Sequence, residues 1–156
     1  MITRSVMAAI VRTHQEVAVH KYFTLVLLFP LATLADEPKE ALKKMEGKWK
    51  IVVAERDGEK LSAEKVKLIK VTIAGDQMTI KDDKFSDAAT IKIDPSKKPA
   101  TIDLQPPMSE KEAPGIYEWS GEQLKLCWTM VGGTRPKEFA STAETKTVLF
   151  IMEREK

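Results

Sequence analysis

The run Pro114-Gly115-Ile116-Tyr117-Glu118-Trp119-Ser120-Gly121-Glu122-Gln123-Leu124-Lys125-Leu126-Cys127-Trp128 decides the fold. Apolar and polar residues alternate on both sides of a Ser-Gly-Glu centre, which is the pattern of two half-buried strands joined by a tight turn. A two-residue turn at Ser120-Gly121 sets Trp119 opposite Glu122 and Tyr117 opposite Leu124. Moving the turn to Gly121-Glu122 keeps the same faces, whereas a three-residue loop would break them. Tyr117, Trp119, Leu124, Leu126 and Trp128 then share one face, a barrel lining or core. Ile116, Glu118, Gln123, Lys125 and Cys127 share the other, with Glu118 near Lys125 on the solvent side. Beyond the hairpin come Gly132-Gly133 and Arg135-Pro136-Lys137-Glu138-Phe139, where Phe139 is expected to plug the core.

Outward from the hairpin, the chain is a series of short strands. Asp36 to Glu46 is expected to be a short helix, with Pro38 in its first turn and Ala41, Leu42 and Met45 on one face. From Lys48 to Glu55, Trp49, Ile51 and Val53 alternate with Lys48, Lys50 and Val52. Asp57-Gly58 signals a turn, and Leu61 to Lys67 stays open between loop and helix, since Ser62 lacks the Glu that would complete a capping box. Strands are expected over 68–74, 77–81, 88–94 and 101–105, separated by Gly75-Asp76, Asp82-Asp83-Lys84 and Pro95 to Pro99. Pro106 to Ala113 is a polar loop of the mobile kind. The strand Thr145 to Glu153 has apolar residues on both faces and is expected to be covered on both. About eight strands at this spacing predict an all-β, small antiparallel barrel or sandwich with a short N-terminal helix.

The 156 residues suit one domain. Residues 1–35 read as a leader containing a signal peptide. Lys21 precedes the apolar run Tyr22 to Phe29, and Thr33-Leu34-Ala35 predicts cleavage between Ala35 and Asp36, hence an exported, periplasmic or extracellular product. Met1 to His20 make this leader long, as a start assigned too early would. The run is too short to span a bilayer, so no stable membrane span is expected after cleavage. Arg4, Arg12 and Lys21 against Glu16 all fall in the leader, so residues 36–156 are electroneutral and no nucleic-acid partner is expected. Both His also precede Asp36. Without them the domain has no Ser-His-Asp or Cys-His pair and no His-containing zinc site. Cys127 stands alone, without an internal disulfide partner, and is expected to be buried.

A second kind of signal is a resemblance. Gly47-Lys48-Trp49 looks like the Gly-x-Trp signature of lipocalins. The fuller set adds Asp57-Gly58, Asp94-Pro95-Ser96-Lys97-Lys98-Pro99, Thr101-Ile102-Asp103-Leu104, Pro114-Gly115-Ile116-Tyr117, Leu124-Lys125-Leu126-Cys127 and Arg135-Pro136-Lys137-Glu138-Phe139. In that order it resembles a planctomycete family of small secreted lipocalin-like domains of unknown function, over Leu42 to Arg154. The resemblance implies a small antiparallel barrel in which Arg154 packs across Trp49 as a structural clamp. It implies no assigned activity. Because the loops are short, the interior is either filled by side chains or open to a ligand.

The candidate ligand-binding residues are Asp103, Tyr117, Trp119, Trp128, Arg135 and Glu138. Arg135, Lys137 and Glu138 stand in the longest late loop, where they either meet a ligand or pair structurally, Arg135 with Asp103 for example. Asp103, Tyr117 and Arg135 are candidates for one interior polar network, or each is satisfied separately. Asp82, Asp83 and Asp87 are too irregular for a calcium loop, and no metal, cofactor or catalytic residue is assigned. The expected function is a non-enzymatic binding module for a small apolar ligand or a protein partner. The alternatives are a structural or inhibitory interaction domain with a filled barrel, or a carboxylate-based enzyme.

Overall fold

Ser120 pairs with Gln123, so Gly121 and Glu122 make the hairpin turn in this computed structural model, which describes residues 37–156. Gly121 has φ +62° and occupies the first central position, which a type II′ turn reserves for Gly. Trp119 therefore faces Leu124 and Tyr117 faces Leu126, the second of the two registers considered. The leader and its cleavage point lie outside the described residues.

The elements are α1 (Glu37–Met45), β1 (Gly47–Arg56), β2 (Glu59–Lys60), α2 (Ala63–Leu68), β3 (Lys70–Ala74), β4 (Gln77–Lys81), β5 (Ser86–Asp94), β6 (Ala100–Gln105), β7 (Ala113–Ser120), β8 (Gln123–Thr129) and β9 (Thr147–Arg154). Every strand from β3 to β8 pairs antiparallel with the next in sequence, and β1 pairs with both β3 and β9. The result is a closed antiparallel barrel of eight strands, with β2 as a short addition to β1. Closure removes the sheet edges along most of the strand length.

Alternation sends one face of each strand inward. Trp49, Ile51, Val71, Ile73, Met78, Ile91, Ile102, Leu104, Tyr117, Leu124, Leu126, Phe150 and Met152 form the interior. Burying each large side chain contributes about 1.5–3 kcal/mol. The five lining residues of the hairpin all belong to this core, with Trp119 and Trp128 partly buried against it. Val53 does not take the inward place that strict alternation predicts. A bulge between Ile51 and Val53 adds a residue to β1, leaves Val52 exposed and turns Ala54 inward. Such a bulge shifts the phase and increases the twist of a strand that must leave β3 and follow β9.

One barrel end, built from the β3–β4, β5–β6 and β7–β8 connections, is covered by α1. Glu37 and Glu40 lie in the first turn of α1 and Lys43 and Lys44 in the last, as the helix dipole favours. Met45 is fully buried, and Ala41 and Leu42 are half-buried on the same side. At the other end α2 resolves the open segment as a helix. Ser62 precedes it in extended conformation without a side-chain capping bond, in line with its incomplete box. Val66 is the buried residue of α2.

The outer face of the hairpin is not all solvent. Glu118 and Lys125 pair at 2.8 Å near the turn, as expected. Farther along, Ile116, Cys127 and Leu149 form a second buried cluster, and Phe139 packs on it from the loop 130–146. Phe139 thus corrects its expected place: it seals the outside of the wall instead of plugging the interior. The same loop covers Leu149, so β9 is apolar on both faces for the reason anticipated, although Ile151 is only half covered.

Candidate functional site

The six candidate residues fall in separate places. Tyr117 and Trp119 are inward, toward the α1 end. Trp119 lies 5.9 Å from Trp49 between ring centroids, and the Lys44 ammonium sits 4.4 Å over its ring. Tyr117 is buried, and its phenol pKa is raised by burial first and by the charge of Asp94 second. Among the described residues no buried side-chain polar atom lacks a hydrogen-bond partner, so the Tyr117 hydroxyl is not a buried orphan. Trp128 lies inside farther along the hairpin, edge-on to Phe150 at 5.0 Å.

Asp103 and Arg135 are elsewhere. Ile102 and Leu104 point inward, so Asp103 points out. Arg135 Nη2 meets Asp103 Oδ1 at 2.7 Å, and Nη1 donates to the carbonyls of Gly115 at 2.6 Å and Ile102 at 3.3 Å. The barrel wall stands between this pair and Tyr117. An interior network of Asp103, Tyr117 and Arg135 is therefore excluded by strand parity: residues 102 and 103, like 116 and 117, cannot share a face. The structural pairing of Arg135 with Asp103 is the reading that holds. Next to it, Lys92 meets Glu112 at 2.6 Å, and this hydrogen bond, then the Glu112 and Asp103 charges, raise the Lys92 pKa. Glu138 is exposed; its charge adds to the upward shift of the Cys127 thiol, which burial dominates. The Cys127 Sγ lies 3.5 Å from the Ala140 carbonyl.

The clamp at the α1 end is present. The Arg154 guanidinium lies 4.6 Å over the Trp49 ring and donates to the carbonyls of Glu46 and Lys44, while Trp49 Nε1 donates to the Met45 carbonyl at 2.9 Å. These are the otherwise unpaired carbonyls at the C-terminus of α1. Gly47, at φ +137°, leaves the space through which Arg154 reaches them: a Cβ there would sit 2.6 Å from Nη1. A single guanidinium thus joins β9, β1 and α1.

The interior is closely packed. Trp49, Leu124 and Met152 are 0% exposed and Val71, Ile73, Ile91, Ile102 and Leu126 are 1% exposed, so water does not reach them, whereas the inward Ile80, Trp128 and Val148 are partly exposed. The described depression, ≈460 Å³, lies on the outer surface between α1 and the β5–β6 loop, open to solvent and lined by Glu37, Glu40, Ala41, Lys44 and Pro95. Asp82 Oδ1 accepts from the N–H groups of Lys84 and Phe85 at 2.7 and 2.9 Å, so this acidic segment is a solvated turn. Among the described residues no helix is long and apolar enough to cross a membrane.

Another surface was not anticipated. Leu68, Phe85, Met108, Met130 and Val131 are large, exposed and apolar, and all lie on connections at the end of the barrel away from α1. At that end β5 outruns β6: Ser86 to Ala89 pair with β4 but have no β6 residue beside them. The signal in the sequence was Pro106-Pro107, which cannot donate to a sheet ladder. No family model, curated protein or solved structure matches this chain.

Proposed function

We propose that the chain is an exported, non-enzymatic interaction domain, a barrel filled by its own side chains that meets a protein partner on its outer surface. The close packing of the interior carries this reading. A carrier for a small apolar ligand needs a pocket that buries most of the ligand, typically 300–1,000 Å³. The lining residues instead fill the space with Trp49, Met45, Met78 and Met152 and the aliphatic side chains between them. The exposed apolar residues at the end away from α1 support the partner half of the reading, since apolar clusters on a surface mark sites of association.

The test is native mass spectrometry of the protein purified from its own host, paired with in-cell crosslinking. The expected result is a bare polypeptide mass and a specific crosslinked protein adduct mapping to the outer surface. A small molecule retained at unit stoichiometry would overturn the filled-barrel reading.

A further inference from the structure

β5 is longer than the strand beside it. It begins at Ser86, whereas β6 ends at Gln105, opposite Thr90. Pro106 and Pro107 follow and have no N–H to offer, so the β5–β6 ladder stops there. The direction of the unpaired groups follows from Ile91, whose N–H reaches the Asp76 carbonyl on the β4 side at 2.7 Å. Peptide groups alternate along an antiparallel strand. Ala89 and Asp87 therefore also face β4, while Ser86 and Ala88 turn N–H and C=O to the open side. Among the described residues these outward groups have no backbone partner. Ser86, Asp87 and Ala88 are all exposed.

We propose that this edge accepts one further strand, an extended segment of a protein partner with Lys or Arg opposite Asp87. The inference rests on the reading as an interaction domain and gives it a place and a chemistry. Ser86 and Ala88 offer two donors and two acceptors, the spacing that strand addition uses. Neither position carries the Lys or Pro that blunts an exposed edge. Phe85 and Met108, exposed on the adjacent β4–β5 and β6–β7 connections, supply apolar surface at the same end of the barrel.

Charge decides the occupant. In a second copy, the register that uses both residues pairs Ser86 with Ala88 twice. It then sets Asp87 directly opposite Asp87 in the close non-hydrogen-bonded position, with Cα atoms about 4.5 Å apart. Like charges directly opposite are destabilising, and a basic residue there is favourable. Asp87 thus opposes self-pairing and selects a basic strand. The other charged groups of these two connections are Asp82, Asp83, Lys84, Glu110, Lys111 and Glu112, acidic on balance, and they reinforce Asp87 at the centre of the edge.

The probe is the capped pentapeptide Thr-Val-Lys-Val-Thr, titrated into the protein and read by amide chemical shifts and hydrogen exchange. The expected result is saturable shifts centred on Ser86 and Ala88, with slowed exchange of both amides. A peptide with Glu in place of Lys, and one N-methylated at both Val, should bind about tenfold more weakly or worse, a difference readily resolved in titration. Ala88→Pro removes an outward donor and should keep the melting temperature while losing binding by a similar factor, since edge positions tolerate Pro. Asp87→Lys should reverse the preference between the Lys and Glu peptides. Unchanged binding by Ala88→Pro, or shifts confined to other surfaces, would overturn the proposal. So would a dimer forming through the Ser86 and Ala88 amides without peptide. A host partner that still crosslinks to Ala88→Pro would remove this edge and leave the interaction reading standing. A small molecule retained in the interior would remove that reading itself.

Discussion

Arg154 shows how much can depend on one side chain. It stacks on Trp49 and bonds two carbonyls of α1 while Gly47 leaves its path open. Charged hydrogen bonds contribute about 1.5–3 kcal/mol and the cation–π contact about 0.5–2. Arg154→Ala should therefore cost about 2–4 kcal/mol, read as a fall in the urea midpoint without loss of the strand spectrum. Gly47→Ala should also destabilise, through both the positive φ and the meeting with Nη1. Its effect should be less than additive with Arg154→Ala, because the double variant relieves the contact; full additivity would remove Nη1 from the explanation. Cys127 gives a second test at this scale. Its thiol is fully covered and burial raises its pKa, so a thiol reagent should react in denaturant and leave the native protein unmodified over the same interval. Rapid native labelling would contradict that placement.

Elements are held to one another by their connections. The loop 130–146 is tied to the wall by Phe139 on Ile116, Cys127 and Leu149, by Arg135 on Asp103, and by Ser141 Oγ donating to the Thr147 carbonyl at 2.7 Å. Phe139→Ala should cost about 1–3 kcal/mol, below the value for a fully buried Phe because this ring is half-exposed, and should speed exchange of the Cys127 amide. If exchange there were unchanged, the loop would not be acting as a seal. The β5–β6 connection carries a pH dependence. Ser96 donates to Asp94 by hydroxyl at 2.5 Å and by backbone at 3.0 Å, and these bonds lower the Asp94 pKa from 3.8. Glu153 is likewise lowered from 4.5, chiefly by Gln123 and then Lys50. A lowered folded pKa contributes stability above the unfolded value, and that part is lost as pH falls through the folded value. Acid titration of the urea midpoint should show this loss, and Ser96→Ala, which keeps the backbone N–H but removes the hydroxyl, should reduce the Asp94 share of it. Identical acid profiles for the two proteins would refute the assignment.

At the scale of the molecule, closure and filling go together. Eight strands give an interior just wide enough for side chains, and here Trp and Met side chains occupy it. Leu126→Ala should cost about 2–5 kcal/mol, because the cavity it opens is lined by rigid neighbours. The same variant should take up xenon or benzene, as dry apolar cavities do, while the parent does not. Uptake by the parent would show room that close packing forbids. The free edge of β5 belongs to this scale too, because it exists only where one strand outruns another around the barrel.

The hairpin was legible because alternation is a local property: Tyr117, Trp119, Leu124, Leu126 and Trp128 share a face whatever surrounds them. The strands, the short helix and the pairing of Glu118 with Lys125 follow from the same periodicity. Its limits are equally physical. The bulge at Val52 serves the curvature of a strand shared between β3 and β9, which the residues of β1 alone do not express. Whether Phe139 lies inside or outside depends on the route of a loop, and apolar character is the same on either side of a wall. Asp103, Tyr117 and Arg135 were grouped by chemistry, and the parity of two paired strands separated them. Local sequence thus determined which residues face together, while the tertiary structure decided which face is inside, because closure depends on pairings between residues far apart in the chain.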